Sequence, residues 1–239
     1  MFLIILSPAK RLNFKKKINI KTESKPIFIN ESQDLINNLI SLKKRDISSL
    51  MNLSQDLTDL NFERYKNWNI DHNTKNSSPA ISCFEGDVYK ELKVDEFSEF
   101  DLRYLQKHVR ILSGLYGILK PFDLIQAYRL EMGTKIKSKK GDNLYQFWGE
   151  KINNSLQIDL MDKTYLINLS SNEYYKSIVH KKIKKEIITP IFLDKKNGKY
   201  KVVSFFAKRA RGAMTNYIIK NKVDNIDELK NFNGLDYKF

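Results

Sequence analysis

The chain is 239 residues long, 41% hydrophobic, 12% aromatic and 29% charged, a composition that excludes a disordered or fibrous chain and supports one folded domain over residues 1–239. Its 42 Lys and Arg against 28 Asp and Glu leave a net charge of +14, in the range of nucleic-acid-binding domains, so a polyanionic partner is expected. One cysteine, Cys83, excludes an internal disulfide, and three scattered histidines (His72, His108, His180) lack zinc-ligand spacing; neither a metal site nor a cofactor is expected.

Residues 2–6 (FLIIL) read as a buried strand, too short for a membrane span and without the basic flank of a signal segment. No later run reaches membrane-spanning length, so no membrane partner is expected and the setting is reducing and cytoplasmic. Pro8 ends the strand, and a basic loop with Lys15, Lys16 and Lys17 follows. Helical spacing groups Leu35, Leu39 and Leu42 over 32–42, then Leu50, Leu53, Leu57 and Leu60, with Ser32 and Ser54 as N-caps. Residues 69–79 are a polar loop, and a short strand is predicted over 80–84. A helix over 101–112 buries Leu102, Leu105, Val109 and Leu112, with Asp101 where a helix N-terminus favours an anion.

That helix runs into Ser113-Gly114-Leu115-Tyr116-Gly117. Two glycines three apart fit a tight turn between packed helices; they also fit a helix-hairpin-helix cradle whose amides converge on a phosphate. In the second reading Tyr116 stands at an exposed tip, able to meet a sugar or an unpaired base. Pro121 delays any second helix to about residue 119 or 120. Beyond it the pattern predicts a strand over 127–132, a helix over 143–156, strands over 165–169, 187–193 and 200–206, and a helix over 207–220. Asn197-Gly198 between two apolar runs signals a β-hairpin. The mixture predicts an α+β class: a single mixed domain with a central sheet, surrounding helices and the helix-hairpin-helix element. Residues 1–120 carry +4 and residues 121–239 carry +10, so the second half holds the stronger positive field.

Polar clusters stand at strand ends, where sites are built. Lys10 and Arg11 either reach a phosphate from a rigid mount or remain solvated loop cations. Lys208 and Arg211 share a helix face while Arg209 points elsewhere; cations opening a helix oppose its dipole, which an external anion would offset. Lys10, Asp87, Arg129 and Glu131 are candidates for acid–base or nucleophilic chemistry, with a structural ion pair as the competing reading. Asn168, Ser170, Asn172 and Glu173 either line the same pocket or cap the helix that follows, with Ser171 or Asn172 as N-cap. Among the aromatics able to stack on bases (Tyr116, Tyr145, Phe147, Trp148, Tyr174, Tyr175), Trp148 reads as core. Cys83 has no resolving thiol.

The segments SPAK at 7–10, F-x-GDVY at 84–89, LSGLYGILKPFDLIQAYRLEMG at 112–133, LYQFWG at 144–149, INLSSNEYYKS at 167–177 and SFFAKRARG at 204–212 together resemble the YaaA family of bacterial peroxide-stress proteins. The resemblance runs from Met1 to about Asp236, and relatives commonly continue past position 239. It implies a cytoplasmic protein of the peroxide response that limits free intracellular iron and oxidative DNA damage. It also implies DNA binding through a helix-hairpin-helix, placed here at Ser113 to Gly117, and a basic cleft. With Lys10, Arg11, Lys208, Arg209 and Arg211 this gives the expected DNA-binding set, gripping the phosphate backbone of duplex or branched DNA with little sequence preference. No reaction is settled for the family. The alternative is an enzyme acting on a nucleotide or damaged nucleic acid, with Lys10, Asp87, Arg129 and Glu131 in one pocket; direct iron binding by carboxylates is a third possibility.

Overall fold

Every residue of β1 (Phe2–Leu6) is buried, as an apolar run without a polar face requires. The computed structural model describes residues 1–15, 18 and 24–239, so Lys16 and Lys17 of the predicted basic loop lie outside the described residues. A two-residue β2 (Arg11–Leu12) follows the turn at Pro8. Helix α1 (Ile29–Ser41) starts earlier than predicted, and Ser32 is not its N-cap but a buried residue whose hydroxyl lies 3.0 Å from the carbonyls of Phe28 and Leu115. After α2 (Lys44–Met51) comes α3 (Gln55–Asn67), where Ser54 caps as predicted by accepting from the Leu57 N–H. Leu57 and Leu60 are exposed, because α3 turns Thr58, Asn61 and Tyr65 inward instead.

The polar loop leads to β3 (Ser78–Pro79), and the strand predicted over 80–84 is replaced by one helical turn, α4 (Ala80–Cys83), ahead of β4 (Phe84–Glu85). Pro79 presets the turn, and the Ser82 hydroxyl donates back to its carbonyl at 2.7 Å. Past α5 (Asp87–Leu92), α6 (Glu99–His108) begins at a capping box made by Ser98 and Asp101 and ends four residues before the predicted limit. Residues 109–112 belong instead to β5 (Val109–Ser113), which pairs antiparallel with β6 (Gly117–Leu119). The predicted helix-hairpin-helix at Ser113 to Gly117 is therefore a β-hairpin. No helix starts at 119 or 120; a turn there leads into β7 (Leu124–Ile125), and the strand predicted over 127–132 is irregular chain.

The predicted helix over 143–156 is two helices, α7 (Leu144–Trp148) and α8 (Lys151–Asp159), separated where Gly149 takes φ +47°. Strand β8 (Tyr165–Leu169) matches its prediction, and α9 (Asn172–Tyr175) follows. Strand β9 (Glu186–Ile188) is shorter than predicted; β10 (Asp194–Lys196) and β11 (Lys199–Lys201) form the expected Asn197-Gly198 hairpin. Helix α10 (Ser204–Asn221) takes 204–206 out of the predicted strand, and α11 (Ile226–Lys230) closes the order.

The main sheet runs β6-β5-β1-β8-β9, parallel throughout except at β5–β6. The domain is thus α/β with a mixed sheet rather than α+β, because β5, β1, β8 and β9 pair in parallel and helices lie in the connections between them. One core cluster joins strands and helices from both ends of the chain. Helix α10 lies directly on α5: an added Cβ at Gly212 would sit 2.1 Å from the Val88 carbonyl oxygen, so a hydrogen there permits the approach.

Candidate functional site

Leu6 of β1 and Leu169 of β8 are register partners, so the segments leaving these two parallel strands emerge side by side. Ligands of open parallel sheets gather at such carboxyl ends. Here the segments floor a pocket of about 310 Å³, near the small end of the range for small-molecule sites. The Ser171 N–H donates to Ser7 Oγ at 2.8 Å, and the Tyr89 hydroxyl donates to the Ser7 carbonyl at 2.9 Å, which fixes the first residue past β1 to both neighbours. Pro8, Ala9, Val88, Leu169, Tyr89 and Tyr174 make an apolar floor.

Charged groups enter from five segments. Lys10 and Arg11 come from the β1 exit, Glu85 and Asp87 from the β4–α5 junction, Glu131 from the irregular chain, Glu173 from α9, and Lys208 and Arg211 from α10. Lys10 Nζ lies 3.3 Å from Glu131 Oε1. The same oxygen accepts from Arg129 Nε and lies 3.1 Å from Arg129 Nη2, so Arg129 holds Glu131 without itself lining the pocket. Glu173 is oriented by the Gly133 N–H at 2.9 Å. Arg11 pairs with Glu85 at 2.8 Å across the short β2–β4 ladder.

On α10, Lys208 and Arg211 face the pocket, as their spacing predicts, while Arg209 turns away and pairs with Glu91 at 2.6 Å. Among the described residues neither Lys208 nor Arg211 has a carboxylate partner. Burial pulls the Arg211 guanidinium below its usual value, the mark of a cation removed from water without a local acid. Asp87 likewise faces the pocket, without a hydrogen-bonding or ion-pair partner among the described residues.

Ser113, Gly114, Leu115, Tyr116 and Gly117 are elsewhere and all buried. Gly114 packs against the Leu130 carbonyl, Gly117 against the Trp148 ring, and Tyr116 is 0% exposed. The Tyr116 hydroxyl accepts from Trp68 Nε1 and the Gln126 N–H, with His72 Nε2 at 3.0 Å. Its stacking role at an exposed tip is excluded, and the hairpin amides have no path to a phosphate. Phe147, Trp148 and Tyr174 are also buried, as is Cys83, whose thiol burial pushes up to about 12, far from a reactive thiolate. Asn168 is buried and accepts from the Ser170 N–H and hydroxyl, a local turn rather than a pocket wall. Ser171 stands at the N-cap of α9 but makes no side-chain cap bond. Ser7 and Tyr89 were missed as site residues; their presence inside the SPAK and GDVY segments was the available signal.

Among the described residues no group of three or more His, Cys, Asp or Glu is placed to hold a metal ion, and no helix is long and apolar enough to cross a membrane.

Fold and site define an α/β protein with a charged, ligand-sized pocket at the carboxyl ends of its central parallel strands. The chain belongs to the family described as peroxide stress protein YaaA, whose model matches residues 2–239. It is similar to a UPF0246 protein of Marinomonas sp. strain MWYL1, 48% identical over 235 residues that cover 98% of this chain and 90% of the relative. A UPF0246 protein of Aliivibrio fischeri strain MJ11 is 46% identical over 239 residues, covering 99% and 92%, and one of Colwellia psychrerythraea strain 34H is 48% identical, covering 99% and 93%.

Proposed function

We propose that this member of the peroxide-stress family binds DNA through its phosphate backbone along the cationic rim of the pocket, and so limits oxidative DNA damage driven by free iron. One observation carries the reading: Lys10 from the first strand and Lys208 and Arg211 from the last long helix converge on one pocket, and the latter two have no carboxylate partner among the described residues. Arg211 is half-buried, and a cation taken from water without a partner is costly; a phosphate oxygen supplies what is missing there and meets the exposed Lys208 beside it. Arg11 and Arg209 flank this rim in exposed or half-exposed ion pairs that a polyanion can displace. The grip no longer includes the hairpin at 113–117.

Fluorescence anisotropy on a labelled duplex across a salt series tests the reading. Log affinity should fall linearly with log salt, with a slope of about −0.9 for each phosphate neutralised. Lys208→Gln with Arg211→Gln should reduce that slope by about 2. Binding that ignores salt, or a double variant with the wild-type slope, would refute the rim as the contact.

A second reading is favoured by the convergence of Lys10, Asp87 and Glu131, with Arg129 behind Glu131. An amine and two carboxylates facing one cavity is the geometry acid–base chemistry on a nucleotide or damaged strand requires. Turnover of an oligonucleotide or nucleotide that Lys10→Ala abolishes while binding persists would place this protein among enzymes.

A further inference from the structure

The β10–β11 hairpin stands outside the main sheet as a two-stranded ribbon, and nothing in the pocket account uses it. Its turn residues Asn197 and Gly198 have φ +54° and +76°, the two positive values of a tight type I′ turn, so the ribbon is a defined structure. Its sequence, Asp194-Lys195-Lys196-Asn197-Gly198-Lys199-Tyr200-Lys201, places four lysines in eight residues. The cross-strand register pairs Lys196 with Lys199 and Lys195 with Tyr200. Like charges directly opposite, as at Lys196 and Lys199, destabilise a hairpin. The one acid, Asp194, stands opposite Lys201 but accepts from the Tyr237 hydroxyl at 2.8 Å, and none of the four lysines has an ion-pair partner among the described residues.

Exposed aromatic rings in and just after the ribbon are equally unexplained by packing, Tyr200 sharing a ribbon face with Lys195 while Lys196, Lys199 and Lys201 take the other. Tyr200 is 70% exposed, and Phe205 and Phe206, at the start of α10, are 53% and 44% exposed in an edge-to-face pair at 5.5 Å. Chain continuity links these rings to the pocket, since Lys208 and Arg211 stand one turn further along the same helix. A ribbon with unpaired lysines on both faces and a water-exposed ring on one suits a polyanion that carries flat apolar groups and wraps around it. A nucleic-acid strand is that ligand: phosphates satisfy the lysines and an unstacked base covers a ring.

We propose that the β10–β11 ribbon is a nucleic-acid-binding arm, in which Lys195, Lys196, Lys199 and Lys201 meet phosphates and Tyr200 stacks on an unpaired base. The inference rests on the phosphate-binding reading above for the identity of the polyanion and adds the element and the strand state it recognises.

The test compares full-length wild type, the quadruple variant K195Q/K196Q/K199Q/K201Q and Tyr200→Ala on a single-stranded oligonucleotide and on a duplex of equal length. All five side chains are exposed, so melting temperature should be unchanged and serves as the folding control. The quadruple variant should lose salt dependence on the single strand by about 0.7 in slope for each lysine that meets a phosphate. Tyr200→Ala should weaken single-strand binding about tenfold and leave duplex binding in place. A quadruple variant with wild-type affinity and slope on both DNAs overturns the arm while leaving the pocket rim intact. Wild type that binds neither DNA overturns the phosphate reading and the arm together. Wild type captured by phosphatidylserine vesicles, with capture but not DNA binding lost in the quadruple variant, assigns the ribbon to a membrane surface and overturns the proposal.

Discussion

The turn at 114–117 and the turn at 197–198 both join antiparallel strands and both carry a glycine at positive φ, Gly117 and Gly198, yet they end in opposite surroundings. Around the first, Ser113 to Gly117 are buried, the Tyr116 N–H donates to Ser113 Oγ at 3.0 Å, and Trp148 Nε1 donates to the Gly114 carbonyl at 3.0 Å. Around the second, an added Cβ at Gly198 would meet nothing within 4 Å, and the flanking lysines lie in water. The same local chemistry serves a core joint in one case and a projecting arm in the other. What separates them is the flanking sequence: Ile111, Leu112, Ile118 and Leu119 against Lys195, Lys196, Lys199 and Lys201.

Side-chain addition at the buried turn gives the largest expected effect. Gly114→Ala would place a Cβ 2.2 Å from the Leu130 carbonyl oxygen, a backbone atom that cannot swing aside. The expected loss in urea unfolding is about 3 kcal/mol or more, from overpacking against backbone. A loss under about 1 kcal/mol would mean the turn is no more fixed than the ribbon, and the contrast between them would fail.

Next in size is a pH effect confined to the buried hairpin's end. Asp123 accepts from the Lys120 N–H and the Ser24 hydroxyl, but burial outweighs these bonds and raises its carboxyl to about 6. A carboxyl raised above its unfolded value near 3.8 contributes stability that is complete below that pH and is lost as pH rises through about 6. The rise from 3.8 to about 6 corresponds to roughly 3 kcal/mol. His72 and His108, both lowered to about 4 by burial, act the other way, since stability is lost as acid charges them. The check is therefore the difference between wild type and Asp123→Asn: wild type should lose stability relative to the variant between pH 4 and 7. A pH-independent difference would remove Asp123 as the source. The ribbon, with no buried titratable group, should show no matching change.

The two turns also show what the sequence could and could not disclose. Asn197-Gly198 was legible because the turn type demands those residues whatever surrounds it. Strand β1 was legible from five apolar residues in a row, and α10 from its spacing. Residues 109–112 were not, because burying Val109 and Leu112 suits a helix face and a fully buried strand alike. What decides is β1, more than a hundred residues earlier, which takes Val109, Arg110 and Ile111 as parallel partners. Tyr116 misled for the same reason: beside a glycine it reads as a tip, while Trp68, His72 and Gln126, which enclose it, are distant in sequence. The site was half legible. Lys10, Asp87, Glu131, Lys208 and Arg211 were marked by polar clusters at strand ends, but their meeting depends on β1 lying beside β8 and α10 on α5, and neither contact is local.

The smallest expected effect is the most discriminating for the comparison. Gly198→Ala meets no steric obstacle, so its cost is the backbone strain of an alanine at φ +76°, about 1–2 kcal/mol. Because β10 and β11 form a separate two-stranded sheet among the described residues, that strain should open the ribbon alone. Global unfolding by urea should shift by no more than a few tenths of a kcal/mol, while amide exchange across the Lys196–Lys199 pairing speeds up about fivefold or more. A global loss as large as that of Gly114→Ala would show the ribbon to be bound into the core, and an arm that holds the fold together is not free to wrap a strand. Faster local exchange with an unchanged midpoint would instead leave the ribbon as an independent unit whose repelling lysines are stabilised when a polyanion arrives.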